Sequence, residues 1–181
     1  GDIFSDLGEA EWARESITEL GRRGVVSGVG DGKFEPNRPV TREEFVKMLV
    51  AAVGAEHGGE ISFTDVDPSA WYYSYISVAA ANGLIVGYPD GEFGIGEEIS
   101  RQDIAVMVQR AAQVFGYPLT KVNDKIEFID DGSIAEYAKD AVYTMQGAGL
   151  MNGTDGAHFE PNTSATRAMV AKVLYELLQT R

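Results

Sequence analysis

Apolar residues recur at helical spacing in six stretches of this chain, and the six fall into three pairs. The first member of each pair holds Ile17 and Leu20, then Trp71, Tyr75, Ile76, Ala79 and Ala80, then Tyr137, Ala141, Val142 and Met145. The second member is a sharper stripe: Phe45, Met48, Leu49 and Ala52; Ile104, Met107, Val108 and Ala111; Val170, Val173, Leu174 and Leu177. Gly24, Gly83 and Gly149 stand where a left-handed residue would end each first helix, and Arg22 and Arg23 suit the negative end of its dipole. Each second helix opens on a cap. Thr41-Arg42-Glu43-Glu44 is a full capping box, Ser100-Arg101-Gln102-Asp103 is a weaker version with Asp for Glu, and Thr166-Arg167-Ala168-Met169 keeps the cap without the acid. One apolar stripe cannot cover itself, so three stripes are expected to close on each other. The predicted fold is mainly α: three pseudo-symmetric helix-loop-helix repeats forming one body around a central three-helix bundle.

The pairing reflects a triplicated unit. Phe4-Ser5-Asp6 returns as Phe63-Thr64-Asp65 and Phe128-Ile129-Asp130, and Trp12 aligns with Trp71 and Tyr137. Gly28, Gly87 and Gly153 align, followed by Asp-Gly at 31, 90 and 155, by Phe34, Phe93 and Phe159, and by Arg42, Arg101 and Arg167. The copies run over about 4–53, 63–114 and 128–178; with their preceding linkers the divisions are 1–53, 54–114 and 115–181. The connector Gly54-Ala55-Glu56-His57-Gly58-Gly59 is small and polar, as linkers are.

Composition narrows the chemistry. The 181 residues hold 28 acids against 15 Lys and Arg, a formal charge of −13. That balance opposes nucleic acid and anionic membrane surfaces, where phosphate neutralisation dominates binding. No cysteine is present, which removes disulfides and thiolate chemistry, and the two histidines, His57 and His158, exclude a His-rich metal site. No stretch of about 18 apolar residues occurs, so membrane insertion is not expected. The opening Gly-Asp-Ile-Phe carries no signal peptide, which is absent, removed, or outside this sequence.

The ordered set Phe-x-Asp, Trp, Gly, Gly-x-x-Asp-Gly-x-Phe-x-Pro, Thr-Arg-x-Glu resembles the S-layer homology domain, a module found as tandem triplets. The resemblance covers nearly the whole chain. It implies a non-catalytic, secreted anchor at the bacterial cell wall or S-layer, without cofactor or metal. It further implies a pyruvylated secondary cell wall polymer, typically with ketal-linked pyruvate on N-acetylmannosamine, bound in grooves between neighbouring repeats. As an isolated module it is expected to be monomeric. The family's motif Arg maps onto Arg42, Arg101 and Arg167. The second copy departs from the pattern at Gln102-Asp103 and the third at Met169, and the third copy's Gly153–Gly156 turn is short, with Ala157-His158 added.

Independently of the family, a helix N-terminus with an Arg at its first position offers free N–H groups and a planar fork for a carboxylate. Gly28, Gly87 and Gly153 would let backbone approach a sugar ring. Trp12, Trp71 and Tyr137 could stack on sugar faces, though aromatics near helix starts read as core first. Asp6, Asp65 and Asp130 read first as caps and second as ligand contacts. Arg42, taken as a surface residue, is expected to be removable with weaker binding and little loss of stability. Sharper readings fail on spacing. The Asp-Gly loops place Ser27, Val86 and Met151 where an EF-hand needs its first acid, and Gly28–Gly32 lacks the Lys and helix of a phosphate loop. A Ser-His-Asp triad has only a linker histidine and a loop histidine to draw on. A carboxylate pair for glycoside hydrolysis is recognised by distance, which a sequence does not give; threefold duplication fits repeated binding better. The remaining alternatives are a protein-interaction scaffold on the cell surface and, behind it, a carbohydrate-active enzyme.

Overall fold

Each stripe becomes a helix, and the three second helices start on the caps the sequence offers. The computed structural model describes residues 3–181. Among these, six α-helices account for the regular structure: α1 Arg14–Arg22, α2 Arg42–Val53, α3 Tyr73–Ala81, α4 Arg101–Phe115, α5 Glu136–Gly147 and α6 Arg167–Gln179. A 3-10 segment, Leu7–Ala13, precedes α1, and a shorter one, Asp131–Ser133, precedes α5. Thr41 and Glu44 form the full capping box of α2. Ser100 and Thr166 cap α4 and α6 through their hydroxyls alone. Gly54 and Gly116 end α2 and α4 in the left-handed conformation that a Cβ would strain.

The three second helices α2, α4 and α6 each contact the other two and bury their stripes in one shared core containing Phe45, Leu49, Ile104, Val108, Val170 and Leu174. The central bundle expected from the stripes is thereby present. A closed ring of main-chain hydrogen bonds seals its entrance. Val40 N–H donates to Ala165, Ala165 N–H to Ile99, and Ile99 N–H back to Val40, at 3.0, 3.3 and 2.9 Å.

The outer helices pair across the copies. α3 packs on α2, α5 on α4, and α1 on α6, whereas no two α-helices of one sequence copy pack on each other among the described residues. The linkers make this possible by running along the following helix. Ser77 on α3 accepts from Gly59 N–H at 3.0 Å and donates to Gly59 O at 2.7 Å, and Asn82 Nδ2 donates to Glu56 O. The second linker docks similarly, with Val122 and Asn123 N–H both on Gly147 O. Because α1 closes on α6, the first and last copies complete one pair between them, and the chain forms a cycle.

Candidate functional site

The three motif arginines are clamps before they are anything else. Arg42, Arg101 and Arg167 are only 4, 6 and 6% exposed. Each reaches out of its own copy into the loop of the next. Arg42 Nε–H donates to Phe93 O, Arg101 Nε–H to Phe159 O, and Arg167 Nε–H to Phe34 O, at 2.8–2.9 Å. Arg101 and Arg167 add a second bond from Nη2, to Asn152 O and Ser27 O. Each guanidinium also lies over the ring of the same phenylalanine, 4.3–5.0 Å from its centre. The expectation of a surface Arg42, removable without structural loss, is therefore corrected: closing the cycle brings a neighbouring carbonyl over each first helical turn.

The same closure removes the free helix ends. Arg42, Arg101 and Arg167 N–H donate to Glu97, Thr163 and Arg38 carbonyls of the adjoining copy. The third N–H of each helix goes to its own cap hydroxyl. Buried donors must be paired, so what the sequence offers as an anion site is in the fold a seam between copies.

Asp6, Asp65 and Asp130 grip the opposite side of the same peptides. Asp65 accepts from the N–H groups of Phe93, Gly94 and Ile95, Asp6 from Phe34 and Glu35, and Asp130 from Phe159 and Glu160, all at 2.8–2.9 Å. Each phenylalanine peptide is held by an Asp on its N–H and, across the copy boundary, by an Arg on its carbonyl. The glycines likewise answer to internal packing. A Cβ on Gly28 would lie 2.9 Å from both Lys33 O and the Phe4 ring, one on Gly87 would strike the Phe63 ring, and one on Gly153 would lie 2.7 Å from His158 O.

Two grooves open where copies meet, and each draws one part from every copy. The first, about 320 Å³, is lined by Ser27 and Gly28 of copy one, Trp71 of copy two and Arg167 of copy three, with Glu44, Lys47 and Met48 of α2 along one wall. The second, about 380 Å³, has the same plan: Gly87 of copy two, Tyr137 of copy three and Arg42 of copy one, with Asp103, Met107 and Arg110 of α4. Arg101, Gly153 and Trp12 line neither; Arg101 is bound into the third copy's loop at Asn152. Trp12 and Trp71, which read as core first, lie outside it at 55 and 54% exposed, and Tyr137 is 64% exposed.

The two grooves differ in charge state. Arg42 Nη1 is 2.6 Å from Asp103 Oδ2, and the Tyr137 hydroxyl donates to Asp103 Oδ1 at 2.6 Å. Burial and that bond together raise the Tyr137 pKa, keeping the phenol protonated as a donor. In the other groove no described carboxylate lies within ion-pair distance of Arg167. Burial lowers the Arg167 pKa, with Glu44 pulling the other way; an Arg so placed stays charged. Lys47, exposed, stands 5.7 Å from the ring centres of Trp71 and Tyr75. Sequence reasoning missed Lys47 and Tyr75. The available signal was that Lys47 directly precedes Met48 in an inward stripe, which puts it on the helix flank; its meeting with Trp71 is a cross-copy contact with no local signature.

The comparisons agree with this architecture. The family model described as the S-layer homology domain matches residues 3–46, 62–105 and 127–169. The chain is 32% identical over 175 residues to an endoglucanase of Bacillus sp. (strain KSM-635), covering 97% of this chain and 18% of that protein. It is 32% identical over 180 residues to an amylopullulanase of Thermoanaerobacterium thermosulfurigenes, covering 97% of this chain and 9% of that protein. It is 26% identical over 171 residues to the surface-layer 125 kDa protein of Lysinibacillus sphaericus, covering 93% of this chain and 14% of that protein. The chain thus spans less than a fifth of the length of these relatives. Three motif matches in the order of the three copies, within one cyclic body, place the chain in the S-layer homology domain family as a bacterial cell-surface module of three tandem copies.

Proposed function

We propose that this chain anchors a surface protein non-covalently to the bacterial cell wall by binding a pyruvylated secondary cell wall polymer, with the Arg167 groove as the receiving site. One observation carries the reading: a buried guanidinium without a carboxylate partner at the base of a groove rimmed by an exposed tryptophan and a lysine. A pyruvate ketal puts one carboxylate on an otherwise neutral sugar. Arg167 and Lys47 supply the positive charge for it, the Trp71 face supplies a platform for the ring, and a volume of about 320 Å³ suits a monosaccharide unit. The protein's net charge of −13 acts over a distance that salt screens within about 8 Å, so the local pair of cations governs the bound state. A non-catalytic role fits the relatives: the shared segment recurs in proteins named as glucanase, pullulanase and surface-layer protein, so it does not track any one activity.

Co-sedimentation with purified wall polymer tests this. The protein pellets with native polymer and stays in solution with polymer stripped of pyruvate; equal binding to both overturns the charge-recognition reading. Lys47→Ala and Trp71→Ala each weaken binding about tenfold, the equivalent of one lost contact of about 1.4 kcal/mol, without lowering the melting temperature. Binding to a surface protein in the absence of polysaccharide would favour the scaffold reading instead, and release of sugar from wall material would favour an enzyme.

A further inference from the structure

The difference between the grooves starts at one methylene. At the third position of α2, Glu44 is long enough to curl back, and its Oε1 accepts from Thr41 N–H at 2.9 Å. That carboxylate is committed to the cap. The matching residue of α4 is Asp103, whose backbone N–H uses the Ser100 cap but whose carboxylate forms no box with it. The shorter side chain points along the groove instead. Both its oxygens are taken there, Oδ2 by Arg42 and Oδ1 by Tyr137, each at 2.6 Å. These two partners are the counterparts of Arg167 and Trp71, the groups proposed to take the ligand's charge and ring.

We propose that Asp103 is a built-in substitute for the ligand's carboxylate, which holds the Arg42 groove in a self-satisfied state and leaves the Arg167 groove as the acting site. The inference rests on the polymer-binding reading above and deepens it. An incoming anionic sugar at Arg42 has to displace a carboxylate that is already hydrogen-bonded, tethered to the protein and only 14% exposed. The displaced group would remain beside the incoming one as a like charge. At Arg167 no described carboxylate stands within ion-pair distance to be displaced. Tyr137 is also fixed by its hydroxyl, so its ring is not free to turn onto a sugar face, whereas Trp71 carries no such tether to a carboxylate. The Asp for Glu replacement in the second copy is thus a specificity-determining change in the ligand count of the chain.

Titration calorimetry with the pyruvate ketal of N-acetylmannosamine, as a monosaccharide, tests the inference on the whole chain. The unmodified protein binds one equivalent, and Trp71→Ala weakens that site about tenfold. Asp103→Asn, which keeps the size and removes the charge, raises the stoichiometry to two. In the Trp71→Ala background it adds one site that the tryptophan substitution does not weaken. Asp103→Glu, which can re-form the capping box, does the same by a second route, and circular dichroism confirms that each variant is folded. Two sites in the unmodified protein, or folded Asp103→Asn and Asp103→Glu variants that still bind a single equivalent, overturn the inference while leaving polymer binding intact. No binding by any of these proteins removes the polymer reading and this inference together.

Discussion

At the scale of the residue, the short acids decide stability. Asp6 and Asp65 are both held below the ordinary carboxyl value of 3.8. Burial alone would raise them, but the N–H groups of Phe34 and Glu35, and of Phe93, Ile95 and Gly94, outweigh it by bonding the charged form. A carboxyl whose folded pKa lies below its unfolded one contributes stability that is complete above the unfolded value and lost as pH falls through the folded value. The melting temperature is therefore expected to hold steady from pH 7 to about pH 5 and to drop below about pH 4. Asp65→Asn should flatten part of that acid slope and cost about 2 kcal/mol at neutral pH, in line with loss of a charge-assisted hydrogen bond; thermal melts across pH measure both. The cap reading of these aspartates is corrected: Asp6 and Asp130 make no side-chain cap bond to the turn that follows them, and Asp6, Asp65 and Asp130 instead hold N–H groups 28 to 30 positions further on. The role of Arg42 was not legible either, because its partners Phe93 and Asp103 lie 51 and 61 positions away.

Among elements, the central helices were the most readable part of the chain. Their caps, their stripes and the glycines after α2 and α4 all follow from local rules, and local signals that agree with the global fold are the mark of a well-specified element. Val108 on α4 is fully buried in the shared core. Val108→Asp should abolish folding, since an unpaired buried charge costs several kcal/mol against a total stability of about 5–15 kcal/mol; a flat thermal melt with loss of helical dichroism is the expected record. Less readable was which helix each stripe would meet. A helix-loop-helix pattern in sequence invites the image of a hairpin, yet α2 packs on α3 and α1 on α6. Loop length and linker docking settle that choice, through contacts such as Ser77 with Gly59 that have no periodicity to betray them.

For the whole molecule, the consequence is that no copy is a structural unit by itself. Arg42 serves copy two, Arg101 serves copy three, and Arg167 returns to copy one, as do the rings of main-chain bonds at the helix entrances. A chain ended at residue 114 would lose α6 from against α1, two of the three bonds of the Val40–Ile99–Ala165 ring and the clamp on Phe34. It should show no cooperative unfolding transition, whereas three independent repeats would leave the first two intact; differential scanning calorimetry separates the two cases. The grooves depend on the same closure, since each takes parts from three copies.

The sequence by itself determined the triplication, the caps and core stripes of α2, α4 and α6, and the family, because each of these is written in short-range spacing that repeats. It also supplied the residue types that meet in the grooves. Only the tertiary structure decided which copy's arginine meets which copy's loop, that the free helix ends become seams, that Trp71 and Tyr137 face outward, and that Asp103 neutralises one arginine while Arg167 keeps its charge unpaired. Those outcomes depend on closing a ring through contacts 50 to 140 residues apart, and a distance of that kind leaves no trace in the local pattern of the chain.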